Sequence, residues 1–188
     1  HLPKRERRQQ PLPLLVLVDV SGSMERYARL LLAFLHAATR KHPRRTVFAF
    51  GTQLTELTGA FKLGDTDAML DHANALIEDF AGGTQLGKSL ASLREHHART
   101  LVGRRTMVLI VTDGLDTGEP QELAEELAWL KLHTRRILWL NPLLRFDGYA
   151  PLAQGAQALN QVAHGMVAIH NLTKLEDLAS SLAKLMKQ

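Results

Sequence analysis

Three short segments hold the residues best suited to chemistry. Asp19-Val20-Ser21-Gly22-Ser23 offers a carboxylate and two hydroxyls, each two residues apart, so all three can turn inward on one tight loop. Gly82-Gly83-Thr84 brings another hydroxyl, and Thr112-Asp113-Gly114 a second carboxylate. If these loops meet, two carboxylates and three hydroxyls share one site, all of them hard oxygen donors. No His or Cys stands at these positions. Such a set suits Mg²⁺ or another hard cation, Mn²⁺ and Ca²⁺ included, and argues against zinc or copper. Hydroxyls are neutral ligands, so a bound ion would keep much of its positive charge and attract an external carboxylate. Taken alone, the first segment reads equally well as a capped turn, with Gly22 giving freedom and Ser23 capping the following helix.

Loops of this kind need a scaffold, and the patterning supplies one. Leu12 to Val18 is a continuous apolar run, the mark of a strand buried on both faces. From Met24 to Arg40, apolar residues from Tyr27 to Ala38 recur at helical spacing. Further strands are expected at Thr46–Phe50, Gln53–Leu57, Thr106–Val111, Arg136–Leu140 and Met166–Ile169. Helices are expected over 67–80, 86–99 and 120–132, with a short one before the last strand. A terminal helix from Lys174 would place Leu175, Leu178, Leu182 and Leu185 on one face. Strand and helix alternate, so the fold class is α/β: an open, mostly parallel, Rossmann-like sheet flanked by helices on both faces. Residues 1–10 read as a polar basic tail and 11–188 as one domain. In such sheets the ligand site lies at the carboxyl ends of the strands, which is where Asp19 and Asp113 fall.

Composition removes several alternatives. With 45% hydrophobic and 22% charged residues, the chain matches ordinary globular proteins. The absence of cysteine excludes disulfides and thiol chemistry and fits a reducing, cytoplasmic setting. No apolar run approaches the ~20 residues that span a bilayer. A start at His1 rather than Met points to a fragment of a longer protein. A net charge of +4 permits acidic partners, while the scarce aromatics, not interleaved with basic residues, give no stacking platform for nucleic acid.

Other chemistries compete for the same residues. Gly82-Gly83-Thr84-Gln85-Leu86-Gly87-Lys88-Ser89 fits the phosphate-loop pattern, with Asp113 as its magnesium partner, and would make a nucleotide hydrolase. That loop needs a buried strand immediately before it, whereas Ala75 to Ala81 resembles the end of an amphipathic helix. It also leaves Asp19, Ser21 and Ser23 idle. An aspartyl phosphotransferase would need an acid where Ser21 stands, and no G-x-G-x-x-G follows the first strand. His96 and His97 are adjacent, so on a helix they diverge by about 100° and cannot share a metal. The remaining histidines show no paired ligand spacing, and Trp129 and Trp139 are expected in the core. Asp116 fits either a supporting role behind the ligands or an exposed one.

Asp19-x-Ser21-x-Ser23, Thr84 and Asp113 together resemble the metal-ion-dependent adhesion site of von Willebrand factor A domains. The resemblance implies that Ser21, Ser23 and Thr84 touch the ion, that Asp19 and Asp113 act through waters, and that a partner's Glu or Asp completes the shell. It implies a protein-binding module and no enzyme. Phe50-Gly51-Thr52, Ile110 to Asp116, Arg136 to Pro142 and the stretch from Tyr149 to the Leu-rich terminus are similar to CoxE-like members. Those bacterial proteins are associated with MoxR-type AAA+ ATPases, and membership implies a role in maturing or remodelling a target enzyme such as molybdenum carbon monoxide dehydrogenase. Finally, Arg44-Arg45, Arg104-Arg105 and Arg135-Arg136 each precede a strand. Parallel strands would collect them on the edge opposite the metal, as a solvated rim or as a second docking surface.

Overall fold

The computed structural model describes residues 12–78, 82–142, 154–163 and 165–168. The expected basic tail and the helix from Lys174 lie outside the described residues. Six strands form one sheet: β1 (Leu14–Asp19), β2 (Arg45–Phe50), β3 (Leu54–Glu56), β4 (Met107–Val111), β5 (Arg136–Asn141) and β6 (Gly165–Ala168). Their order is β3-β2-β1-β4-β5-β6, and only the β2–β3 pair is antiparallel. The three residues between β2 and β3 allow a hairpin and are too few for a crossover. β1 begins at Leu14 rather than Leu12. Pro13 has no N–H to give a ladder, and its carbonyl instead accepts from Met107 N at 2.8 Å.

The unbroken apolar strands are explained by what covers them. Side chains alternate across a strand, and here both sides are cores. Leu14, Val16 and Val18 of β1, with Met107, Leu109 and Val111 of β4, join one core; Leu15, Leu17, Val108 and Ile110 join the other. The first core is closed by α1 (Glu25–Ala38), the short α2 (Thr58–Phe61) and α3 (Thr66–Leu76). The second is closed by α4 (Leu86–Leu101), α5 (Pro120–His133) and α6 (Gln154–Val162). The sheet is therefore open, mostly parallel and covered on both faces. Among the described residues no helix is long and apolar enough to cross a membrane.

Local chemistry sets several boundaries. Asp65 caps α3 by accepting from Ala68 N at 3.0 Å, and Pro120 opens α5 where its missing N–H costs nothing. α3 stops at Leu76, short of the expected 80, because extended Ile77 turns into the first core. α2 was not expected: four residues are too few for a periodic signal. Trp139 is fully buried, whereas Trp129 is only partly so, stacked on His133 with the Arg94 guanidinium over its ring, 4.8 Å from the centroid. His36 is buried with both ring nitrogens engaged, to Leu63 O at 2.7 Å and Thr66 Oγ1 at 3.2 Å, a packing residue. His164 and His170 lie outside the described residues.

The chain builds β1, β2 and β3 outward in one direction, then returns to place β4 on the other side of β1. The two crossovers leave opposite ways, so a crevice opens between the carboxyl ends of β1 and β4. Val18 and Val111 are register partners at that end. Asp19 follows the first directly, and Asp113 follows the second by two residues.

Candidate metal centre

Asp19 is the last residue of β1 and is completely buried. Its Oδ1 accepts from Ser21 N at 2.8 Å, closing the turn that follows the strand. Its Oδ2 accepts from the Thr112 hydroxyl at 2.7 Å and, at the outer limit of a hydrogen bond, from Thr84 Oγ1 at 3.5 Å. Ser21 and Ser23 face one another, Oγ to Oγ at 3.4 Å. Asp113, also fully buried, accepts from Leu115 N through Oδ1 at 2.9 Å. Ser21 and Thr84 are nearly buried, while Ser23 is exposed, so the cluster opens to solvent on the Ser23 side. The three loops that the spacing singles out do meet.

The turn itself differs from expectation. Residues Gly22–Met24 form one turn of 3₁₀ helix before α1, and the capping position of α1 is Met24. Ser23 therefore does not cap the helix, and Ser21, at the start of the 3₁₀ turn, makes no side-chain cap either. Both hydroxyls are left for the cluster. Gly22 does not need a left-handed backbone: among the described residues only Gly114 has a positive φ, +78°.

Backbone ties hold the loops against one another. Gly22 N donates to Gly82 O at 3.0 Å, joining the first loop to the second. Thr84 O accepts from both the amide and the hydroxyl of Thr117, at 2.8 and 2.9 Å. Thr112 N donates to Leu140 O, and buried Trp139 donates its indole N–H to Thr112 O at 2.9 Å. Two residues of this framework were missed or left open by sequence reasoning. Thr112 carries a structural hydroxyl that bonds Asp19 and accepts from Gly114 N at 3.2 Å. Asp116 is half-buried and accepts from Leu86 N at 2.9 Å, capping α4 from another loop, since Gln85 makes no side-chain cap. A hydroxyl at a buried strand tip was the available signal for the first. Nothing local marks the second.

Burial raises the Asp19 pKa above its ordinary value; the Ser21 and Thr112 hydrogen bonds oppose this, and the Asp113 charge adds to it. Burial likewise raises that of Asp116, against the bonds from Leu86 and Gly118. Among the described residues the donors to Asp19 are all neutral, so this buried carboxylate, with the Asp113 charge beside it, favours a nearby positive charge. A divalent cation answers that need, and the donor set around Asp19 and Asp113 fits one.

The phosphate-loop pattern meets a different setting. The last described element before Gly82 is the helix α3. Lys88 is exposed on α4, and Gly87 is where α5 crosses: an added Cβ would lie 2.8 Å from Leu123 N and 3.0 Å from its Cα. That glycine serves helix packing.

Solved structures share this architecture. A von Willebrand factor type A protein from Catenulispora acidiphila has a TM-score of 0.68 and 19% identity, covering 94% of this chain and 43% of that one. Proximal thread matrix protein 1 from the mussel byssus, with a zinc occupied MIDAS motif, has a TM-score of 0.58 and 14% identity over 92% of this chain and 47% of that one. Manganese-loaded Plasmodium vivax TRAP protein has a TM-score of 0.51 and 22% identity over 70% and 57%. This chain spans under half the length of the first two. Zinc in the mussel protein shows that the expected exclusion of zinc does not extend to that relative's motif. No curated protein matches the sequence. The family described as VWA domain containing CoxE-like protein matches residues 1–175. The chain belongs to this CoxE-like family of von Willebrand factor A domains.

Proposed function

We propose that this chain is a metal-dependent protein-binding module that grips a partner's carboxylate and catalyses nothing itself. Asp19, Ser21, Ser23, Thr84 and Asp113 would hold Mg²⁺, with Mn²⁺ or Ca²⁺ as substitutes. The observation that carries this reading is the convergence of Asp19 and Asp113, both fully buried, with hydroxyls that open to solvent on one side. When bound, the ion supplies positive charge that a partner's Asp or Glu can meet. The chain's own residues do the rest. Thr112 and Ser21 N hold the Asp19 carboxylate in place, Leu115 N orients Asp113, and Ser23 marks the open approach. Family membership supports a role beside a MoxR-type AAA+ ATPase, in maturing or remodelling a target enzyme. Zinc in the mussel relative's motif and manganese in the Plasmodium protein support a divalent site.

Two measurements test this. Calorimetry should show Mg²⁺ or Mn²⁺ binding by the wild type and none by Asp19→Ala or Asp113→Ala with the fold intact. Partner capture in Mg²⁺ should be lost in the same variants and in EDTA. Unchanged metal affinity in both variants removes the site. Specific ATP hydrolysis that disappears in Lys88→Ala would install the nucleotide hydrolase in its place.

A further inference from the structure

The edge of the sheet opposite the metal centre is not a uniform basic rim. The amino ends of β1, β2 and β4, with the segment joining α4 to β4, enclose a groove of about 580 Å³. That is within the ~300–1,000 Å³ of ordinary ligand sites. The arginine pairs divide around it. Arg44, Arg104 and Arg105 line the groove, whereas Arg135 and Arg136 do not. Arg45 also lines it, but its guanidinium is engaged elsewhere: it donates to Thr39 Oγ1 at 3.0 Å and to Phe61 O, and lies over the Phe61 ring. The fold also brings in Arg99, from the last turn of α4, which strand-start spacing could not reveal. Arg44, Arg99 and Arg104 are all exposed.

The walls are held in place. Thr106 is buried, its amide bonds Gly103 O at 2.9 Å, and its hydroxyl accepts from Gly103 N at 3.1 Å and donates to Leu101 O at 3.3 Å. Leu14 N donates to Arg44 O at 2.9 Å on the facing side. A cleft prepared in this way costs little ordering when it binds.

We propose that this groove docks an acidic protein segment, one that carries Asp or Glu side chains among apolar residues. Charge complementarity argues for it: among the described residues lining the groove none is acidic, and arginine forks pair with carboxylates. Half-buried Leu101 and Val102 offer apolar contact beside the arginines. Nucleic acid is disfavoured, because among the described lining residues none is aromatic and bases would have no ring there to stack on. Residues 1–11 are disfavoured too, since Lys4, Arg5, Arg7 and Arg8 against Glu6 carry the groove's own sign.

The probe is a short fluorescein-labelled peptide of Glu and Leu, followed by anisotropy with the full chain in EDTA, so that the metal centre takes no part. Binding is expected at ~0.02 M salt and should weaken strongly by ~0.5 M. Arg99→Glu with Arg104→Glu should weaken it at least ~10-fold. Arg29→Glu with Lys131→Glu makes the same charge change on exposed helix positions and should cost less than about 2-fold. Thermal melts check that both pairs stay folded. Equal weakening by the two pairs, an absence of binding, loss of binding in Asp19→Ala, or tighter binding of an oligothymidylate would each overturn the proposal.

Discussion

At the scale of single residues, the centre depends on holding Asp19 ionised where water does not reach. Because burial raises its folded-state pKa above the ordinary 3.8, the metal-free fold binds this proton more tightly than the unfolded chain. That contribution to stability is complete below the ordinary value and is lost as pH rises through the raised one. In EDTA, Asp19→Asn should therefore gain stability over the wild type as pH rises toward neutrality, with the two converging in acid, while losing metal binding. Urea melts across that range decide it, and a difference independent of pH would contradict it. Thr112 acts through Asp19 rather than on the ion. Thr112→Val removes the 2.7 Å bond and the acceptor for Gly114 N. It should weaken Mg²⁺ by ~10–100-fold in calorimetry and cost about 1–3 kcal/mol of stability.

At the scale of elements, the loop after β4 is clamped between two helices. Gly114 sits at φ +78°, and an added Cβ would lie 2.8 Å from Ala156 Cβ and 2.9 Å from its Cα, on α6. The same loop reaches α4 through Asp116. Gly114→Ala should thus cost at least ~2 kcal/mol, from left-handed strain and overpacking together. It should displace Asp113, which a weaker metal isotherm would report. Helix packing also explains the glycine of the phosphate-loop pattern. Gly87→Ala should destabilise by ~1–3 kcal/mol because the obstruction is the α5 backbone. Exposed Lys88→Ala should leave both stability and metal binding within ~0.5 kcal/mol of wild type. If Lys88→Ala instead removed a nucleotide-dependent signal, the packing account of this segment would be insufficient.

At the scale of the whole molecule, the site joins loops from distant parts of the chain, so a ligand that binds them binds only the folded state. At ~100 times its dissociation constant a divalent cation adds ~2.7 kcal/mol. For a chain of this size that is a rise in Tm of roughly 5–10 °C. Scanning fluorimetry with and without Mg²⁺ should show it for the wild type and not for Asp19→Ala or Asp113→Ala. An equal rise in all three would mean the ion acts elsewhere. The proposed acidic-segment groove lies at the other end of the same strands. The two ends can then be tested apart: one responds to chelation, the other to salt.

What the sequence determined by itself is whatever depends on neighbours along the chain. Apolar runs such as Leu14–Val18 and Met107–Val111 mark strands buried on both faces, and helical spacing marks α1, α4 and α5. A carboxylate or hydroxyl just beyond a buried strand falls at the sheet's carboxyl edge, so Asp19, Ser21, Ser23 and Asp113 could be gathered before any coordinates, with Thr84 joining them through Gly82-Gly83 at the start of α4. Tertiary structure alone decided which polar groups from different loops became partners. The Thr112 bond to Asp19, the Asp116 cap on α4 and the entry of Arg99 into the basic groove all join residues distant in sequence. Those pairings follow from strand order and register, because placing β4 beside β1 is what brings the two carboxylates into one crevice. Arg45 makes the same point in reverse. Its place before a strand puts it on the basic edge, but the Phe61 carbonyl and ring within reach turn it inward. No local pattern encodes α2, the short helix that presents them.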